Sequence, residues 1–275
     1  MNRWTFINNE FVLESNAFLH ISDLAIQRGY GIFDYLKTID DKPLFLKEHL
    51  ERFYYSAVQL HLPIQQTHQE LTAIIQELIQ RHNMGTSGIR LTLTGGYSPD
   101  GYNIASPNLI ITQLPLNLPT PAVFEKGVRL ATYEHLRPLS HVKSINYVMA
   151  VWLQPLLKEK GADDVLYHLN GVISECPRAN FFIVKDNVLI TPDNNILLGI
   201  TRHKLLTLAS EYYKVEERPV TLDELKDCQE AFITSTTKQI LPVTAIDDHT
   251  IHNGQPGPVT RQLHKALLDI QLTSN

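Results

Sequence analysis

Val142-Lys143-Ser144-Ile145-Asn146-Tyr147 sets a lysine just ahead of a helix, and two later stretches answer it. Gly171-Val172-Ile173-Ser174-Glu175, followed by Asn180-Phe181-Phe182, puts a carboxylate between two strand-like runs. Leu198-Gly199-Ile200-Thr201-Arg202 opens a further helix with a glycine and a hydroxyl. At such a start the backbone N–H groups of Ile200 and Thr201 face outward and, with the helix dipole, favour an anion. Each piece also has an ordinary reading: a surface lysine, a solvated carboxylate at a strand end, a threonine cap.

Working outward, the patterning divides the chain in two. Residues 4–7 and 11–13 flank Asn8-Asn9-Glu10 as a hairpin. A short helix over 21–27 has Ser22 as its expected N-cap, and Gly29-Tyr30-Gly31 permits a sharp turn. A strand over 32–39 turns at Asp40-Asp41-Lys42-Pro43. Leu46, Leu50, Phe53 and Ala57 share one face of a helix over 46–60, and a second helix follows over 71–79. Strands over 89–94 and 109–114 enclose the turn-rich loop Gly95-Gly96-Tyr97-Ser98-Pro99-Asp100-Gly101-Tyr102. Residues 115–121 then carry three prolines and mark a boundary. Beyond it come a strand over 128–133 and a helix over 147–160 that Pro155 bends or restarts. Hairpins follow around Asn170-Gly171 and between 181–184 and 188–190. The remainder reads as a helix over 201–213, a strand over 231–234 and a closing helix around 263–268. The expected fold class is therefore α/β, of the mixed α+β kind. It has a small N-terminal domain (1–114), a linker (115–122) and a larger C-terminal domain (123–275).

The 275 residues are 43% hydrophobic and 19% charged, enough for two modest domains with proper cores. The formal net charge of −5, without a basic block, argues against nucleic acid as a partner. No apolar run reaches membrane-spanning length, and the first residues do not read as a signal peptide. Cys176 and Cys228 lack metal or redox spacing, which suits a reducing cytoplasmic setting. The 12 histidines form no paired-ligand pattern, so no metal site is expected.

A lysine, a carboxylate and a phosphate-ready helix start are what a pyridoxal 5'-phosphate (PLP) enzyme needs. With Glu48-His49-Leu50-Glu51-Arg52 before them and Phe232-Ile233-Thr234-Ser235-Thr236-Thr237 after them, the order resembles the class IV aminotransferases, or fold type IV PLP enzymes. That family holds D-amino-acid aminotransferases, branched-chain L-amino-acid aminotransferases and 4-amino-4-deoxychorismate lyase. The resemblance implies a two-domain α/β homodimer. It assigns Lys143 as the Schiff-base lysine and proton carrier. Glu175 becomes the partner of the pyridinium nitrogen and Arg52 a phosphate ligand. Ile200, Thr201, Thr236 and Thr237 supply further phosphate contacts, Leu197 packs on the ring, and Tyr147 lies near the lysine. The implied reaction is ping-pong transfer of an amino group to a 2-keto acid such as 2-oxoglutarate or pyruvate.

The familiar carboxylate trap of the D-amino-acid enzymes, a tyrosine, an arginine and a histidine, is missing. Phe33 stands at the tyrosine position as a pocket wall, and the loop Ser98-Pro99-Asp100-Gly101-Tyr102 holds neither of the others. Arg28 and Arg178 are the leading substitutes for holding the substrate carboxylate, with Arg90 a third. The whole pattern leans toward an atypical D-amino-acid aminotransferase, with the branched-chain enzyme and the lyase as alternatives.

Overall fold

Turn chemistry sets the first half of the chain. The computed structural model describes residues 3–273. Trp4–Ile7 (β1) and Glu10–Leu13 (β2) pair antiparallel across Asn8, whose φ of 55° is one that asparagine tolerates. Leu24–Arg28 is a short helix (α1). Its cap is Asp23, whose carboxylate accepts from the Ala25 N–H at 2.7 Å, whereas the Ser22 hydroxyl pairs with His20. Asp binds that N–H as an anion at the positive end of the helix, so it displaces the expected serine. Gly31–Ile39 (β3) turns through Asp40 and Asp41, both at positive φ, into Lys42–Pro43 (β4).

Leu46–Gln59 (α2) buries Leu50, Phe53 and Ala57 as the periodicity predicts. His68–His82 (α3) is longer than the apolar pattern, because Thr67 and Glu70 form a reciprocal capping box that starts it a turn early. Ser87–Thr94 (β5) and Leu109–Pro115 (β6) complete an antiparallel six-stranded sheet in the order β2-β1-β6-β5-β3-β4. Ile32, Leu36, Ile89, Leu91 and Ile111 from its inner face pack with Phe53, Leu71, Ile75 and Leu78 of the two helices. The first unit runs to Asn117 and takes in residues 142–146 as well; the second comprises Leu118–His141 and the chain from Tyr147 on. Lys143 thus folds with the first unit.

In the second unit, Pro121–Lys126 (α4) has Thr120 as cap and proline in its first turn, where the missing N–H costs nothing. Val128–Glu134 (β7) precedes two short helices, Val148–Trp152 (α5) and Gln154–Lys160 (α6), which Leu153 separates just before Pro155. Asp164–Leu169 (β8) and Val172–Ile173 (β9) flank Asn170-Gly171, both residues at positive φ as a tight hairpin turn requires. Glu175–Cys176 (β10) pairs with Ala179–Lys185 (β11), which turns into Val188–Thr191 (β12). Then come Ile200–Ala209 (α7), Lys214–Glu217 (β13), Val220–Thr221 (β14), Glu230–Ser235 (β15), Gln239–Ile246 (β16) and His249–Thr250 (β17). Pro258–Thr273 (α8) closes the chain.

The main path of the eleven-stranded sheet is β13-β12-β11-β15-β16-β7-β8-β9-β14. Most pairs are antiparallel, but β7 runs parallel to both β16 and β8, and β12 runs parallel to β13. Phe182, Phe232 and Ile240 pack under α7 and α8 through Leu205, Leu263 and Leu267. Phe181, Ile183 and Ile233 form a second core on the opposite face.

Candidate active site

In the first unit the site begins with a short piece of backbone. Residues 143–145 lie along the start of β3: the Phe33 N–H donates to the Lys143 carbonyl at 2.9 Å, and the Ile145 N–H to the Gly31 carbonyl at 3.0 Å. The Lys143 N–H donates to Ser56 Oγ on α2 at 3.2 Å. Gly31 has no room for a side chain, since a Cβ there would meet the Leu93 carbonyl at 2.7 Å. These contacts place the Lys143 Nζ 4.6 Å from the centre of the Phe33 ring, and the Arg90 guanidinium lies 4.1 Å from the same centre. Both distances are those of cation–π contacts.

Behind Phe33, the next residue of β3 points into the core, as strand alternation dictates. Asp34 is fully buried and takes three side-chain donors from α2. Arg52 donates to it through Nε at 2.8 Å and through Nη2 at 2.9 Å, and His49 Nδ1 lies 2.7 Å from it. Burial alone would raise the carboxyl pKa, but the Arg52 charge and the His49 contact outweigh it and hold Asp34 well below the usual carboxylate range. Burial pushes the His49 pKa down, against the pull of Asp34, and because Nδ1 faces a carboxylate, which when ionised can only accept, it is the ring N–H that donates there.

The second unit presents an anchored carboxylate. Glu175 is 4% exposed, and both oxygens are engaged. Arg137 Nε donates to Oε1 at 3.1 Å. Asn180 Nδ2 and the Leu197 N–H donate to Oε2 at 3.2 and 3.0 Å. Asn180 also donates to the Leu197 carbonyl at 2.7 Å, so one amide fixes both the glutamate and the turn into α7. That close approach requires Gly199, where a Cβ would collide with Asn180 Oδ1. Gly199 is the N-cap of α7 and brings no side-chain cap. Thr201 is therefore not the cap but the second helical residue, and the first-turn N–H groups of Ile200 and Thr201 lack intrahelical acceptors. Directly across the sheet from Asn180, the Thr234 hydroxyl is buried with no hydrogen-bond partner among the described residues. Thr236 and Thr237 follow it in a half-buried turn, with Ser235 Oγ and Thr237 Oγ1 3.4 Å apart.

The structure thus groups Phe33, Arg52 and Lys143 in the first unit, and Glu175, Leu197, Ile200 and Thr201 in the second. Tyr147 sits half-buried at the start of α5. Arg28 ends α1 with an exposed side chain, Nη1 donating to the Gln27 carbonyl at 2.9 Å. Arg178 is exposed in the two-residue turn between β10 and β11. Asp34 and Arg137 were not singled out from sequence. An acid at an inward strand position ahead of His49-Leu50-Glu51-Arg52 was a usable sign for the first; His135-Leu136-Arg137-Pro138 offers none for the second. Among the described residues no cluster of histidine, cysteine or acidic side chains is arranged for a metal ion, and no helix is long and apolar enough to cross a membrane.

The chain is similar to known proteins over nearly its whole length. The family model described as amino-transferase class IV matches residues 31–246. A D-alanine aminotransferase of Staphylococcus epidermidis is 32% identical over 267 residues, 94% of this chain and 95% of that protein. A putative branched-chain-amino-acid aminotransferase of Methanocaldococcus jannaschii is 33% identical over 278 residues, 97% of this chain and 96% of its own. Among solved structures, the branched-chain amino acid aminotransferase from Escherichia coli is 26% identical, with a TM-score of 0.90 over 98% of this chain and 95% of that one. A further branched-chain amino acid aminotransferase, crystallised with pyridoxamine 5'-phosphate, is 25% identical, with a TM-score of 0.93 over 100% of this chain and 96% of its own. The mixed α/β architecture is that of the fold type IV aminotransferases, and the chain belongs to the class IV aminotransferase family.

Proposed function

We propose that this protein is a PLP-dependent transaminase that moves the amino group of an amino acid, with D-amino acids the favoured donors, to a 2-keto acid such as 2-oxoglutarate or pyruvate. The observation that carries this reading is the pair of cations on one ring. An amine (Lys143) and a guanidinium (Arg90) both lie against Phe33. An amino acid bears its carboxylate on the very carbon whose bonds must be remade, so a carboxylate-binding fork beside a reactive amine suits it. Similarity to D-alanine aminotransferases supports the D-preference.

The residues present fit PLP. An unpartnered buried hydroxyl at Thr234 and an uncapped helix start at Ile200 suit a phosphate, and a buried, ionic carboxylate at Glu175 suits a ring nitrogen that must stay protonated. Bound PLP supplies an electron sink for the substrate α-carbon. Lys143 would tether the cofactor and, as its free amine, would carry the α-proton. Arg137, Asn180 and the Leu197 N–H hold the Glu175 carboxylate, which would stabilise a protonated ring nitrogen. By the order of their motifs, Arg52, Ile200, Thr201, Thr236 and Thr237 are the residues proposed for the phosphate, Leu197 the one proposed for the ring, and Tyr147 the one proposed for the vicinity of the lysine. Arg28 and Arg178 remain candidates beside Arg90 for the substrate carboxylate. We place the enzyme as a homodimer acting by ping-pong transfer.

A branched-chain L-amino-acid reading is favoured by the Methanocaldococcus relative and the two solved branched-chain structures. One experiment separates the two. The PLP-loaded protein is given 2-oxoglutarate or pyruvate with D-alanine, D-glutamate or L-leucine, and the new keto acid is measured. Turnover of the D-amino acids supports the proposal. Turnover of L-leucine alone replaces it with the branched-chain reading. No turnover of any amino acid, with pyruvate released from 4-amino-4-deoxychorismate, makes the protein a lyase.

A further inference from the structure

His49, Arg52 and Ser56 stand three and four residues apart on α2 and so share one face. That face is a polar stripe laid against β3. His49 and Arg52 both reach Asp34, and Ser56 holds the backbone N–H of Lys143. Asp34 is fully buried and meets the guanidinium fork along its Nε/Nη2 edge. The same carboxylate accepts from its own neighbour, the Tyr35 N–H, at 2.7 Å, which fixes its orientation as well as its position.

We infer that Asp34 is a positioning residue for the cofactor site, aiming Arg52 at the phosphate and holding the His49 ring in one orientation. The inference rests on the PLP reading above. Its physical basis is preorganisation. An arginine side chain has several rotatable bonds, and ordering it on ligand binding subtracts from affinity. Here the two parallel hydrogen bonds to Asp34 order it in advance. Asp34 also offsets the charge of Arg52, whose side chain is only 10% exposed, so the fork remains in place without a bound anion. Asp34 touches neither substrate nor cofactor in this account; it acts through Arg52 and His49.

The test compares PLP with pyridoxal, which lacks the phosphate. Dissociation constants for both are measured by equilibrium dialysis on wild type, Asp34→Asn, Arg52→Gln and the double variant. Asp34→Asn keeps the shape and removes the charge. The expected result is a loss of PLP affinity of about 10-fold or more in Asp34→Asn, with pyridoxal affinity changed by less than about 3-fold. On the Arg52→Gln background the Asp34 change adds no further loss. Equal losses for PLP and pyridoxal, or losses that add independently of Arg52, overturn the inference and leave Asp34 a purely structural acid. If Asp34→Asn does not fold, the double variant, which carries neither buried charge, is compared with Arg52→Gln. Equal PLP affinities with a higher Tm for the double variant support the coupling, and a further loss of PLP affinity refutes it. Failure of wild type to bind PLP overturns both this inference and the reading on which it rests, whereas normal PLP binding without phosphate selectivity in the variants overturns the inference alone.

Discussion

Replacing Glu175 with glutamine tests the second unit's contribution through both stability and chemistry. The side chain is buried, with Arg137 on one oxygen and two N–H donors on the other. A glutamine amide has only one acceptor oxygen. Turned toward Arg137 it sets an NH2 against the donors of Asn180 and Leu197; turned the other way it sets that NH2 against the guanidinium. Removing one partner of a buried ion pair costs about 3–5 kcal/mol. Arg137 keeps a second acceptor, the Ser140 carbonyl at 2.5 Å, which puts the cost near the lower end, about 3 kcal/mol. At about 2–4 °C per kcal/mol for a chain of this size, the Tm should fall by about 6–12 °C. Thermal unfolding is followed by circular dichroism without PLP, so that ligand binding adds nothing. Arg137→Met and the Glu175→Gln/Arg137→Met double variant are run beside it, and the double variant should be more stable than the sum of the single losses. Transamination by the PLP-loaded Glu175→Gln variant should fall by about 100-fold or more, because the neutral amide no longer stabilises the protonated ring. A destabilisation under about 1 kcal/mol, or additive losses, would refute the picture of Glu175 as a buried, ionised and paired carboxylate.

Other perturbations bear on separate parts of the structure. Lys37 is buried in β3, and burial lowers its pKa from the ordinary 10.5 to about 8. The unfolded chain then binds that proton more tightly, so stability rises between pH 8 and pH 10.5 and the full penalty, about 3 kcal/mol, applies below pH 8. The stability of wild type relative to Lys37→Met should therefore rise between pH 8 and pH 10.5; a pH-independent difference contradicts this. Cys176 and Cys228 are buried, and burial raises both thiol pKa values, that of Cys228 to about 11. A thiol reagent should find neither in the native protein and both in denaturant, and rapid native labelling would show the cores to be more open than described. Arg178→Ala, at an exposed turn, should leave the unfolding free energy within about 0.5 kcal/mol of wild type and raise KM for the amino donor; an unchanged KM removes Arg178 from the substrate site.

Much of the fold was legible because local rules are strong where they apply. The stripe Leu46-Leu50-Phe53-Ala57 gave α2 nearly to the residue, and Asn170-Gly171 gave its hairpin. Apolar periodicity fails at polar ends. It missed the first turn of α3, which the Thr67–Glu70 capping box builds, and most of α8 beyond residues 263–268. It also ran α7 past Ala209, where the chain leaves the helix in turns. Long-range pairing was invisible: nothing in residues 128–134 announces a parallel partner in 239–246. The same limit governs the site. Lys143, Glu175 and Arg52 stand in readable motifs, but what holds them does not. Asp34 lies 18 residues from Arg52 in the chain, and Arg137 lies 38 from Glu175. The return of residues 142–146 to the first unit, along β3, depends on backbone pairing with Gly31 and Phe33 that no side-chain pattern encodes.

The central claim is that the Lys143 amine is the group that bonds to PLP. The most direct measurement is borohydride reduction of the protein mixed with PLP, followed by peptide mass analysis. The account predicts a single phosphopyridoxyl adduct on the peptide bearing Lys143, and none in Lys143→Ala, which also loses turnover. An adduct on another lysine, or full activity in Lys143→Ala, would contradict it.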